Sequence, residues 1–228
     1  MLLLFDIDGT LLHGATDAHR DALRAALLEV HGVDGSTVRP ASPAGRTDGE
    51  IARAILIDAG VATERIDERA DIVRELCCSN YARLCPPDLS GTVLPGVREL
   101  LELLSSRDGV RLGLVTGNYE PVARIKLKRA GIGHYFPGGQ GAFGSDSEDR
   151  AALPPLARRR AGERGHPYPR ERTVLIGDTP RDIACAKADG VTCVAVATGP
   201  YSPDRLGEAD WTAADARGLR RTLEALLD

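Results

Sequence analysis

The 228-residue chain has no CxxC pair, no uninterrupted apolar stretch of membrane-spanning length and no excess of basic charge. Its five cysteines, at positions 77, 78, 85, 185 and 193, are an odd number without zinc-finger spacing, which argues against a disulfide framework or a structural zinc site and for a reducing, cytoplasmic setting. The opening apolar run reaches Asp6 after five residues, too short for the core of a secretory signal, and no segment is long enough to span a bilayer. Secretion and membrane insertion are therefore not expected. Acidic residues number 33 against 29 basic ones, for a net charge of -4 and a pI near 5.8, whereas dedicated nucleic-acid binders are usually strongly basic. Lysine is scarce, confined to Lys126, Lys128 and Lys187, and neither a repeat nor a low-complexity tract occurs. What remains is an ordinary globular composition, 43% apolar and 27% charged, able to build a core.

Residues 2–5 form a short all-apolar run ending at an acid, as a strand buried on both faces of a parallel sheet reads. Similar runs recur at 112–115, 174–176 and 193–196. Between them lie helical spacings, Val97, Leu100, Leu101, Leu104 and then Ala123, Leu127, Ala130 with a stop at Gly131. Strands alternating with helices predict an α/β protein with a Rossmann-like parallel sheet. From residue 14 onward the strand signal disappears. Asp17 is expected to cap a helix carrying Leu23, Ala26, Leu27 and Val30, with Gly32 after it, and two further helical patterns follow near 48–59 and 66–85. The expected organisation is a core of residues 1–13 and 91–228, interrupted by an all-helical cap of residues 14–90.

In open α/β sheets ligands collect outside the carboxyl ends of the strands. The predicted strands end in polar residues: Asp6 and Asp8, then Thr116, Gly117 and Asn118, then Gly177 and Asp178, then Thr198 and Gly199. Asp6 and Asp8, two apart on an extended segment, project to one side. Joined by Asp178 they would form a mutually repelling, oxygen-rich cluster of the kind that Mg²⁺ neutralises. Thr116 offers a hydroxyl, and the amides of Gly117 and Asn118 precede the helix opened by Pro121, a position that favours an anion; a plain strand-to-helix turn capped by Asn118 is the alternative.

These segments, in order, resemble the haloacid dehalogenase-like superfamily. Phe5-Asp6-Ile7-Asp8-Gly9-Thr10-Leu11 matches its first motif, Val115-Thr116-Gly117-Asn118 its second and Gly177-Asp178-Thr179-Pro180-Arg181-Asp182 its fourth. The helical insertion resembles the cap of the phosphoglycolate-phosphatase-like branch. The resemblance implies a Mg²⁺-dependent phosphatase acting on a small phosphorylated metabolite. Asp6 would be the nucleophile and Asp8 the general acid and base, with Thr116, Gly117 and Asn118 on the phosphate, and with Asp6, the Asp8 carbonyl and Asp178 on the metal. The third, basic motif is matched by position at Arg150, with Lys126 and Lys128 as competitors. A phosphomutase would use the same residues, and a catalytically idle relative that binds a metabolite or a partner is the non-enzymatic alternative, disfavoured because an idle site has no reason to keep three repelling carboxylates. Phosphoglycolate leads as substrate, ahead of sugar phosphates and nucleotides. Oligomeric state has no sequence signature here.

Other positions are read more plainly. Gly45-Arg46-Thr47-Asp48 resembles a substrate-facing cap loop; Arg46 is the candidate contact, whereas Thr47 serves equally well as the capping partner of Glu50. Thr179, Pro180 and Asp182 have helix-start spacing, which leaves Asp182 outside the expected ligand set. The five histidines, His13, His19, His31, His134 and His166, have no ligand spacing and read as surface or capping residues; only His13 is near enough to the first motif to face the site. Arg158, Arg159, Arg160 and Arg164 read as a solvated helix face.

Overall fold

The computed structural model describes residues 1–35, 43–163 and 165–227. Six parallel strands, β1 (Leu2–Phe5), β2 (Arg111–Thr116), β3 (Ala142–Phe143), β4 (Thr173–Gly177), β5 (Thr192–Val196) and β6 (Trp211–Ala213), form one sheet in the order β3-β2-β1-β4-β5-β6. This is the doubly wound order, whose direction of growth reverses between β1 and β4. β1 is apolar throughout because alternate residues serve two cores. Leu3 and Phe5 join Leu114, Val174 and Ile176 on one face, while Leu2 and Leu4 join Leu175, Cys193 and Ala195 on the other.

On the core, α4 (Val97–Ser105), α5 (Glu120–Arg129), α6 (Leu153–Ala161), α7 (Pro180–Asp189) and α8 (Ala216–Leu227) cover the sheet. Between β1 and β2 in the chain stand α1 (Asp17–His31), α2 (Asp48–Asp58) and α3 (Thr63–Leu84), with no strand among the described residues of that stretch. They form the inserted helical cap, in which α1 and α3 pack side by side. Asp17 does not cap α1: Thr16 holds that position without a side-chain bond, and Asp17 begins the helix. Gly32 ends it at φ +72°, a left-handed conformation that glycine adopts without strain. The strands β3 and β6 escape a sequence reading because they have two and three residues and Trp211 and Thr212 are exposed, leaving no apolar run.

The arginine stretch also departs from expectation. Arg158 is buried and makes a bidentate pair with Asp189 (2.6 and 2.8 Å), while Arg159 and Arg160 are exposed and Arg164 lies outside the described residues. Asp189 is 31 residues away, so the partner that permits this burial is invisible to local charge patterning. All five cysteines are unpaired, and among the described residues no helix is long and apolar enough to cross a membrane.

Candidate active site

The reversal between β1 and β4 brings Asp6 and Asp178 to adjacent strand ends. Asp6 continues the ladder through its N–H to the Ile176 carbonyl (2.9 Å), so its backbone is as fixed as the sheet. Its carboxylate is buried 3.2 Å from the Arg150 guanidinium. Burial pushes the Asp6 carboxyl up to about 6 despite the opposing charge of Arg150. Burial, followed by the charges of Asp6 and Asp182, pushes Asp178 up to about 9. Thr10 Oγ1 donates to Asp178 Oδ1 (2.9 Å), whereas Asp178 Oδ2 is buried without a partner. The space around it is tight: a Cβ on Gly9 or Gly199 would come within 2.2 and 1.7 Å of Oδ2. Only glycine at both positions leaves this carboxylate room.

Oxygens of Asp6, Asp178 and Asp182 lie within 4.8 Å of one another. The three differ in availability. Asp182 Oδ1 accepts from Arg150, and Oδ2 accepts from the Thr179 N–H (3.0 Å) and hydroxyl (2.7 Å), completing a capping box at the start of α7. Asp182 is thereby committed to helix and guanidinium. Asp6, which shares Arg150 with Asp182, and the orphaned Asp178 oxygen form a buried all-oxygen set that suits a hard divalent cation.

Asp8, two residues on, meets a different surrounding. Lys126, fully buried, donates from Nζ to both Asp8 oxygens (2.8 and 2.7 Å) and to Asn118 Oδ1 (2.8 Å). Asn118 Nδ2 donates to Asp8 Oδ2 (2.9 Å) and to Thr116 Oγ1 (3.0 Å). Burial alone would raise the Asp8 carboxyl, but the Lys126 charge and hydrogen bonds outweigh it and hold it below the usual range. Two neighbouring carboxylates are thus driven in opposite directions, Asp6 up and Asp8 down.

Lys126 therefore faces Asp8, while Arg150 is the basic group at Asp6; Lys128 is exposed. Thr116 is fully buried behind Asn118, which is not the N-cap of α5; Tyr119 is. The expectation that the histidines lie on the surface or at caps fails at His19. It is buried on α1, with Nε2 2.9 Å from Asp48 Oδ2 and Nδ1 3.3 Å from Lys126 Nζ. His19 and Lys126 both carried a signal. His19 sits on the stripe Ala22, Leu23, Ala26, Leu27 and Lys126 on the stripe Val122, Ala123, Leu127, and a titratable group on an apolar face needs a buried partner.

The cap is docked on the core. Asp48 N–H donates to the Gly117 carbonyl (2.8 Å), Tyr119 N–H to Asp48 Oδ2 (2.8 Å), and Thr47 Oγ1 to the Glu148 carbonyl (2.8 Å). Thr47 Oγ1 also accepts from Glu50 N–H (3.1 Å), so this buried side chain caps α2 and ties it to the core. The Glu50 carboxylate pairs with Arg46 (2.9 Å) and Arg181 (3.2 Å). A Cβ on Gly117 would fall 2.1 Å from the Arg46 carbonyl oxygen, so this approach requires glycine there. Between cap and core lies a chamber of about 740 Å³, open to solvent on one side, whose wall includes Asp6, Asp8, Asp178, Asn118, Arg150 and Arg46, along with the exposed His13.

The haloacid dehalogenase-like hydrolase family model matches residues 3–187. A phosphoglycolate phosphatase of Rhodospirillum rubrum is 31% identical over 204 residues, covering 86% of this chain and 79% of that one. Among solved structures, a β-phosphoglucomutase from Clostridium difficile aligns at TM-score 0.67 and 18% identity over 99% of this chain and 96% of that one. CbbY from Rhodobacter sphaeroides, in complex with phosphate, aligns at 0.64 and 20% over 94% of each. The chain belongs to the haloacid dehalogenase-like hydrolases, in their phosphoglycolate-phosphatase-like branch. It is an enzyme of the phosphatase kind.

Proposed function

We propose that this chain is a Mg²⁺-dependent phosphatase that hydrolyses a small organic phosphate monoester through an aspartyl phosphate on Asp6. The observation that carries this reading is the contrast between two adjacent carboxylates, one beside Arg150 and an orphaned Asp178 oxygen, the other gripped by Lys126 and Asn118. The catalytic core in this reading is residues 1–13 and 91–228, the cap residues 14–90, and the setting cytoplasmic, in keeping with five free thiols.

Asp6, the Asp8 carbonyl and Asp178 would hold the metal, relieving the burial of two carboxylates. Mg²⁺ supplies charge neutralisation at the phosphoryl oxygens. A carboxylate oxygen of Asp6 attacks phosphorus as the ester P–O bond breaks, and the leaving alkoxide takes a proton from Asp8. Water then attacks the acyl phosphate, yielding its proton to Asp8 and releasing inorganic phosphate and free Asp6. Lys126 favours the ionised Asp8 that the second step needs; the negative charge of a bound phosphate raises its proton affinity for the first. Arg150, the amides of Gly117 and Asn118, and the Thr116 hydroxyl, acting on the phosphoryl group or through Asn118, supply the preorganised positive field that dominates phosphoryl transfer. Arg46 faces the leaving group.

Release of phosphate from 4-nitrophenyl phosphate should require added Mg²⁺ and should be stoichiometric with ester consumed, which separates hydrolysis from mutase transfer. No turnover with Mg²⁺ present would refute the reading. Metal binding also has a readout independent of activity. Asp6 and Asp178 both titrate above the ordinary carboxylate value of about 3.9, so their protonated forms suit the metal-free fold. That stability is complete below about pH 4 and is lost as pH rises through about 6 for Asp6 and on towards about 9 for Asp178. The Tm of the metal-free protein should therefore fall between weakly acidic and weakly alkaline pH, and Mg²⁺ should raise Tm more at the alkaline end. An equal rise at both ends would count against these ligands.

A further inference from the structure

The chamber is larger than a two-carbon leaving group requires, and it has this size with the cap already docked. The contacts of Asp48, Thr47 and Tyr119 join cap to core across their boundary. At about 740 Å³ the volume lies in the upper part of the range, about 300 to 1,000 Å³, that encloses ligands of drug size. Its lining divides by chemistry. The carboxylates and Arg150 occupy the sheet end. Leu12 is beside them, and α1 and α2 contribute Leu23, Ile51 and Ile55, an apolar wall that a polar two-carbon acid would leave wet.

Among the described residues the cap side also carries polar groups, Thr16, His19, Arg46 and Asp48 among them. Arg46, held by its docked backbone, spends Nη1 on Glu50 (2.9 Å) but has a buried Nε with no partner. A buried guanidinium N–H without an acceptor is costly, and a ligand oxygen placed against it removes that cost. Arg24, half-exposed and 3.9 Å from Asp21, also lines the chamber. Apolar walls next to a guanidinium with an unpartnered buried N–H describe a leaving group with a hydrophobic body and an anionic end.

We propose that the substrate is a phosphate monoester of a bulky alcohol, aromatic or branched aliphatic, that carries a carboxylate: phosphate at Asp6, hydrocarbon against Leu23, Ile51 and Ile55, carboxylate at Arg46. This rests on the phosphatase reading above. It differs from phosphoglycolate in requiring hydrocarbon between the two anionic ends.

The test compares kcat/KM for phosphate release from phosphoglycolate, benzyl phosphate and 4-carboxybenzyl phosphate. All three leaving groups are alcohols, so chemical reactivity does not set the ranking. The 4-carboxybenzyl ester should exceed phosphoglycolate at least tenfold, about 1.4 kcal/mol of transition-state binding. Ile51→Ser should reduce the ratio of 4-carboxybenzyl phosphate to phosphoglycolate, and Arg46→Gln the ratio of 4-carboxybenzyl to benzyl phosphate, each about tenfold. Because these are ratios within one variant, loss of folded protein cancels. If wild type hydrolyses 4-nitrophenyl phosphate but handles phosphoglycolate as well as or better than the carboxybenzyl ester, the leaving-group proposal is overturned and the phosphatase reading survives. If 4-nitrophenyl phosphate is inert, the phosphatase reading itself fails.

Discussion

Asp6→Asn is expected to lower phosphate release by about 10⁴-fold or more while raising the Tm of the metal-free protein. Replacing a nucleophile whose partners act with it as a unit removes nearly the whole chemical advantage, and an amide oxygen cannot form the acyl phosphate. The stabilisation has a separate cause. Asp6 is buried, and its carboxyl is pushed up to about 6, so near pH 8 the fold holds a charge that it disfavours. Asparagine keeps the shape and removes the charge, and Arg150 retains Asp182 as a partner. Each kcal/mol recovered is worth roughly 2 to 4 °C in a chain of this size. Inactivation with a gain in Tm distinguishes a strained functional carboxylate from a structural one, whose loss would lower both. Undiminished turnover in Asp6→Asn would remove Asp6 from the mechanism.

Arg150→Ala has the second largest expected effect, with the opposite sign on stability. The guanidinium is buried between Asp6 and Asp182, and removing one member of a buried ionic set typically costs about 3 to 5 kcal/mol because the remaining charges lose compensation. Phosphate release should fall about 10³-fold, the scale of losing a phosphoryl-directed arginine. Lys128→Ala, on the exposed side of α5, should leave both quantities unchanged. Adding Asp182→Asn to Arg150→Ala removes one stranded charge and should recover part of the Tm. Activity should stay lost if Arg150 grips phosphate; activity that returned together with Tm would reduce Arg150 to a structural role.

The two arginines suspected from sequence, Arg46 and Arg150, illustrate different kinds of legibility. Arg150 is marked by its position in the motif order alone, and the sheet order delivers it to Asp6. Lys126 could be named from sequence as a basic residue near the site but not assigned, because its partner, Asp8, is 118 residues away. His19, with partners on α2 and α5, had only its place on an apolar stripe to mark it. Thr47 shows both sides at once. Its capping bond to Glu50 N–H is local and readable, whereas its bond to the Glu148 carbonyl depends on where the cap lands.

By itself, the sequence determined the α/β class, the four longer strands, the helical insertion and the ordered acidic and glycine-rich strand ends. Each rests on neighbours within a few residues, where apolar period and turn chemistry act directly. The tertiary structure alone decided which carboxylate each cation holds, that Asp178 keeps an orphaned oxygen walled by Gly9 and Gly199, and how large a chamber the docked cap leaves. Those properties arise from desolvation and from charges brought together across more than a hundred residues, and neither is present until the chain has folded.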